Sequence, residues 1–258
     1  MKPSLAALLT DFGARDPYVG VMKGVILSKC PAARIVDLCH GVPPQDVAAA
    51  AYDLMTSVAY FEPRTLFVAV VDPGVGTGRR VLWARTKRHQ FLGPDNGILS
   101  WAERVEKFQE VREVTNSKLF LPAVGSTFQG RDVFAPVAGA LLQGARPERL
   151  GPPARRWERL AFPALMRRGN KILGEVIAVD RFGNAVTNLA FAQDAARRVF
   201  YCKGKSVGRL AAAYAAAPAG RPAAVVGSSG FIELALRNAS FAGRRRVRVG
   251  DRVEARLR

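Results

Sequence analysis

Residues 70–80 read Val-Val-Asp-Pro-Gly-Val-Gly-Thr-Gly-Arg-Arg. The apolar run 66–71 delivers Asp72 into a glycine-rich turn, and Arg79 and Arg80 follow. A strand that ends in a carboxylate and a guanidinium puts them where open α/β sheets build their sites. A carboxylate in that position can act as an acid–base group.

Five further segments place Gly, Asp, Asn and Ser beside apolar runs. They are Thr10-Asp11-Phe12-Gly13, Gly93-Pro94-Asp95-Asn96-Gly97, the stretch 126–132, Asp180-Arg181-Phe182-Gly183-Asn184, and Gly227-Ser228-Ser229-Gly230. Each alone is an ordinary turn. Together they gain weight, because the loops at Asp11, Asp72 and Asp95 fall at one edge of the expected sheet. Asp11, Asp72 and Asp180 also recur in a chain with 39 basic and 21 acidic residues. Local acids of that kind suit a cationic ligand.

Several common chemistries are excluded. The 72–80 loop lacks Gly-Lys-Ser/Thr, so it is no Walker A cradle, and it lacks the GxGxxG of a dinucleotide site. There is no HExxH and no GxSxG. His40 and His89 are isolated, and Cys30, Cys39 and Cys202 show no CxxC spacing, so neither zinc nor a structural disulfide is expected. Metal ligands are expected to be none.

The elements that must position these loops alternate. Strands are expected at 5–9, 34–38, 66–72, 81–85 and 90–92. Helices are expected at 46–60 and 131–143, and a further one after Asp16 as cap with Pro17 at its first position. That order implies a doubly wound, mostly parallel α/β domain over residues 1–150. A proline- and arginine-rich stretch, 151–163, reads as a linker. Residues 164–258 read as a smaller β-barrel domain, with strands at 171–180, 185–189, 223–226 and 231–236 and a short helix at 211–217. The arginine-rich end, Arg244 to Arg258, alternates with Val and Leu and reads as strands turning at Gly250-Asp251.

The net charge of +18 fits an arginine-rich surface, and nucleic acid is not expected as a partner. No apolar run approaches the roughly 20 residues that span a bilayer, and a cytoplasmic location is expected.

The segments as a set resemble the S-adenosylmethionine hydroxide adenosyltransferase family, which is related to the fluorinases and chlorinases. The resemblance rests on Thr10-Asp11-Phe12-Gly13 with Asp16-Pro17-Tyr18-Val19-Gly20, on the 71–77 loop, and on Gly93-Pro94-Asp95-Asn96-Gly97. It continues through Thr127-Phe128, Gly130-Arg131-Asp132-Val133-Phe134-Ala135-Pro136, Asp180, Phe182-Gly183-Asn184, Thr187-Asn188 and Ser228-Ser229-Gly230 with Glu233. It runs in order along nearly the whole chain. It implies an N-terminal α/β domain, a C-terminal β-barrel and a homotrimer with sites between subunits. It implies hydrolysis of S-adenosyl-L-methionine to adenosine and L-methionine by attack of water at C5′, with no cofactor.

The resemblance also implies roles. Asp11 holds the ribose diol, and Asp180 and Ser229, beside Ser228, hold the ends of methionine. Phe182 and Asn184 line the adenine pocket. Asn96, Phe128 and Glu233 complete the substrate contacts. Asp72, Arg79 and the residue at 129 orient the water. An acidic residue at 72 favours water over halide. The chain departs from the pattern at Gln129, where the hydrolases carry histidine, and glutamine takes up no proton near neutral pH. Two alternatives therefore stand beside the hydrolase: a non-catalytic protein that binds adenosyl ligands, and an S-adenosylmethionine-dependent halogenase.

Overall fold

The computed structural model describes residues 2–122, 125–192 and 194–257. It divides into two compact units, Met1–Ala161 and Phe162–Arg258.

The first unit is built on a six-stranded sheet in the order β2-β1-β3-β5-β4-β6. The strands are β1 (Leu5–Thr10), β2 (Ile35–Cys39), β3 (Thr65–Val70), β4 (Val81–Arg85), β5 (Gln90–Pro94) and β6 (Glu110–Glu113). β1 is parallel to β2 and β3, and β3 to β5, while β4 runs antiparallel to β5 and β6. Side chains alternate across a strand, and here both faces are apolar. Ala6, Leu8, Leu66, Val68, Trp83 and Leu92 face one core, which α1 (Tyr18–Lys29) and α3 (Ala135–Gln143) cover. Ala7, Leu9, Phe67, Ala69, Leu82 and Phe91 face the other, covered by α2 (Val47–Ser57). Helices on both faces of a largely parallel sheet make the expected doubly wound arrangement.

Two local expectations are corrected. Asp16 does not cap α1, because Pro17 occupies the cap position and no side chain accepts there. The stretch 131–143 is not one regular helix. Residues Gly130–Phe134 form a π-helical turn before α3 begins, and a β-carbon at Gly130 would lie 3.2 Å from the side chains of Phe12, Phe128 and Met22. The stretch 151–163, expected as a linker, contains the boundary between the two units, and its first part is bonded to the first unit. Pro153 bridges to Arg112, Glu158 N donates to Asp95, and Leu160 N donates to Ser100, so the chain lies on the first unit to Leu160.

The second unit is an antiparallel sheet in the order β11-β10-β14-β8-β9-β13-β12, with β7 on β8. The strands are β7 (Met166–Arg168), β8 (Lys171–Val179), β9 (Ala185–Ala190), β10 (Arg198–Cys202), β11 (Lys205–Arg209), β12 (Pro222–Val226), β13 (Phe231–Leu236) and β14 (Arg252–Leu257). A bridge from Leu210 to Ala224 brings the two ends together, so the sheet is a nearly closed barrel. Its interior holds Val176, Phe200, Ile232, Leu234 and Val253, among others. The arginine-rich end does not form the expected strand pair. Arg244 and Arg245 end the short helix α4 (Phe241–Arg245), capped by Ser240, and only β14 is extended. The expected helix at 211–217 is one 3-10 turn, Tyr214–Ala216.

Candidate active site

Parallel register sets the stage. Thr10 pairs with Val70 and Val68 with Leu92, so Asp11, Asp72 and Asn96 leave the sheet at one edge. Beyond β3 the chain turns twice. Val75 N donates to Asp72 O at 3.2 Å and Thr77 N to Gly74 O at 3.1 Å. Gly76 takes φ +81, a left-handed conformation that favours glycine. These turns bring Arg79 back over Asp72.

Arg79 Nε donates to Asp72 Oδ1 at 3.0 Å and Oδ2 at 2.8 Å, and Nη2 donates to Oδ2. Nη2 also donates to Gln129 Oε1. The Asp72 and Arg79 side chains are 6% and 10% exposed, so water screens the pair weakly. Planar guanidinium–carboxylate pairing fixes both groups geometrically. A carboxylate has about four acceptor positions, so Asp72 keeps capacity for a ligand oxygen. Gln129, its carbonyl oxygen directed at Arg79, keeps an amide donor.

Asp72 and Gln129 line a cavity of about 440 Å³ that Asp11 and Phe128 also line. Asp11 Oδ2 accepts from Gln45 N at 2.8 Å, and Gln45 adopts φ 66 to make that approach. Three rings form a wall of edge-to-face contacts. Phe12, Tyr18 and Phe128 have centroids 5.0–6.0 Å apart at interplanar angles of 64–76°. Such π faces attract cations. No histidine lines the cavity among the described residues. His40 instead pairs Thr10 Oγ1 at 2.9 Å and Asp37 at 3.0 Å.

The structure therefore gathers Asp11, Asp72, Arg79, Phe128 and Gln129. It does not bring Asn96 into the cavity lining. Asn96 Nδ2 donates to Val71 O at 2.9 Å, and its Oδ1 accepts from Ile98 N at 3.1 Å. Phe12, Tyr18, Gln45 and Thr127 line the cavity and were given no role from sequence. Phe12 and Tyr18 could have been found, since both sit inside matched motifs.

The second unit gathers its own group. Asp180 Oδ1 accepts from Phe182 N at 2.9 Å and Asn184 N at 2.8 Å, and Oδ2 accepts from Asn184 Nδ2 at 2.8 Å. The carboxylate thereby shapes the turn, leaving Phe182 76% exposed and Asn184 buried. Ser240 sits tightly beside Gly183, at φ +80, where no side chain would fit. Glu233 is buried on β13, and Tyr214 Oη donates to its Oε2. Burial raises the Glu233 carboxyl above its ordinary range; the Tyr214 bond opposes this and the nearby Asp180 charge adds to it. Gly227 leaves the space that the Glu233 carboxyl occupies. Ser228 and Ser229 stand on the turn between β12 and β13.

Known proteins share this organisation. The (R)-S-adenosyl-L-methionine hydrolase of Thermus thermophilus is 39% identical over 245 residues, covering 90% of this chain and 91% of that protein. A fluorinase of Nocardia brasiliensis is 27% identical, covering 72% and 71%. An uncharacterized conserved protein of Thermotoga maritima has a solved structure that matches with TM-score 0.90 at 34% identity, over 97% of this chain and 99% of that one. The family models for the SAM hydroxide adenosyltransferase N-terminal and C-terminal domains match residues 6–151 and 174–254. With both domain models matched in order across an α/β unit and a barrel, the chain belongs to the SAM hydroxide adenosyltransferase family.

Proposed function

We propose that the chain hydrolyses S-adenosyl-L-methionine to adenosine and L-methionine. The observation that carries this reading is the Asp72–Arg79 pair, fixed on both carboxylate oxygens and facing a cavity that Gln129 also lines. The named hydrolases at 34–39% identity support it.

The sulfonium is already an activated leaving group, so the enzyme's task is to aim a water along the C5′–S axis. In this reading the water donates one proton to Asp72, and the Gln129 amide donates to its oxygen. A lone pair is then left for C5′. The C5′–O bond forms as the C5′–S bond breaks, the electron pair stays on sulfur, and the water's proton leaves through Asp72. Arg79 holds Asp72 in place. The aromatic wall of Phe12, Tyr18 and Phe128 favours the cationic sulfonium until it is discharged. Asp11 accepts from the ribose diol, and in a homotrimer with sites between subunits the groups around Asp180 and Glu233 serve the rest of the substrate from a neighbouring subunit. No cofactor takes part. We also propose a homotrimer, which light scattering of the purified protein tests, and a cytoplasmic location, which fractionation of cells tests. No helix of the described residues is long and apolar enough to cross a membrane.

Incubation with S-adenosyl-L-methionine, followed by chromatography, is expected to yield adenosine and methionine. No adenosine at high enzyme concentration overturns the reading. A second reading draws on Gln129: binding of adenosyl ligands without turnover. Calorimetric binding without adenosine release selects it. With excess chloride, adenosine is still the expected product, and 5′-chloro-adenosine would instead indicate a halogenase.

A further inference from the structure

The segment after β5 was expected to contact substrate through Asn96, yet Asn96 turns toward the main chain of the Asp72 loop. The carbonyl it holds, Val71 O, belongs to the peptide unit that joins Val71 to Asp72. That unit is planar, so fixing its oxygen fixes the direction in which Asp72 leaves the strand. The other side of the loop is held by the neighbouring residue. Asp95 N donates to Arg80 O at 2.9 Å, and Asp95 Oδ2 accepts from Arg80 Nε at 2.8 Å.

Asp95 is itself anchored from behind. Its Oδ1 accepts from Glu158 N at 2.7 Å, and Arg80 Nη2 donates to Arg156 O at 2.7 Å. Leu160 N donates to Ser100 Oγ at 2.9 Å, and Trp101 Nε1 donates to Leu160 O at 3.1 Å. Gly97, at φ +91, leaves room for Leu160, whose nitrogen would lie 2.9 Å from a β-carbon there. Thus the returning stretch 156–160 braces Asp95, Asp95 braces Arg80, and Asn96 braces Val71. The loop between those two points carries Asp72 and Arg79.

We infer that Asn96 and Asp95 are positioning residues that clamp the two ends of the Asp72–Arg79 loop, and that the 156–160 stretch is the backing of that clamp. The catalytic consequence rests on the hydrolase reading; the clamp itself does not.

The test uses the full chain with Asn96→Asp and Asp95→Asn. Asn96→Asp retains an acceptor for Ile98 N but turns an oxygen without a proton toward Val71 O. Displacing a reacting group by about 1 Å can cost about 100-fold. The expected result for Asn96→Asp is therefore a fall in kcat of about 10- to 100-fold, with KM for S-adenosyl-L-methionine changed less than about 2-fold. Asp95→Asn is expected to lower kcat in the same manner but less, since its backbone bond to Arg80 survives. Amide hydrogen exchange across 74–80 is expected to quicken in both variants, with β1 unchanged. A KM that rises while kcat holds would make Asn96 a substrate ligand and overturn the inference. Unchanged kcat in folded Asn96→Asp overturns it as well. If the wild-type protein releases no adenosine, the hydrolase reading falls, and the exchange measurement decides the clamp alone: unaltered exchange at 74–80 refutes it.

Discussion

Asp72 in the first unit and Asp180 in the second both leave the end of a strand, but they spend their oxygens differently. Asp72 gives both to a guanidinium seven residues on and still faces a cavity. Asp180 gives its oxygens to two backbone amides and one side-chain amide of its own turn, residues 180–184. One arrangement presents a charge-compensated carboxylate to whatever enters. The other converts a carboxylate into backbone shape, and what it presents is the turn, with Phe182 at its tip. The charge balance differs as well. Residues 162–258 hold 18 basic and 6 acidic residues, so two-thirds of the net charge lies in the smaller unit.

The largest expected effect tests the first half of this contrast. Asp72→Asn keeps the shape and loses the proton acceptor, so adenosine release should fall by about 100- to 10,000-fold, as for loss of a general base. Asp180→Ala probes the other half. Freed amides in the turn should cost about 1–3 kcal/mol in stability by thermal melting. Any loss of activity should appear first in KM. If Asp180→Ala instead lowers kcat as far as Asp72→Asn with stability intact, the distinction between the two carboxylates fails. Gln129→His sharpens the first cluster. It is expected to change the rate by no more than about 10-fold and to add a titration near the ordinary histidine range, about pH 6.5. Full inactivity of the wild type with activity in Gln129→His selects the binding-only reading.

Asp53 supplies the smallest test, from outside both clusters. Burial, with Asp46 adding to it, pushes its carboxyl up to about 6. A carboxyl whose folded value is raised destabilises once it ionises, so its contribution is lost as pH climbs from about 4 through 6. Asp53→Asn should therefore stabilise the protein at pH 7 by about 1–2 kcal/mol, after allowance for partial exposure, and by little at pH 4. Melting curves at the two pH values check it.

The site loops were legible because their signal is local and redundant. Alternation of strands and helices assigns a parallel sheet, and parallel strands carry their following loops to one edge, which is where Asp11, Asp72 and Asn96 leave it. Asn96 shows the limit. Its residue type and place in a glycine-rich loop fit a ligand as well as a brace, and only the direction of its amide separates them. In the 151–163 stretch, prolines and arginines mark a connection but not its partners, and two of its backbone amides bond to Asp95 and Ser100. At the C-terminus, alternation of Arg with Val suggested a strand. Ser240 accepting from Gly243 N started a helix there instead, and a cap of that kind outweighs a short pattern. In β10, Arg198 is buried, paired with Asp194 and bonded to the Ala255 carbonyl, which a polarity pattern assigns to the outer face.

The π-helical turn at Gly130–Phe134 follows directly on Gln129. Such a turn holds one residue more than an α-helical turn. Removing one residue between 131 and 133 would let α3 extend regularly toward its start, and each residue of an α-helix turns the chain by about 100°. Gln129 would swing away from Arg79 while the apolar stripe of α3 kept its register with the sheet. The extra residue thus sets the bearing of Gln129 on Arg79 separately from the packing of α3 on the sheet.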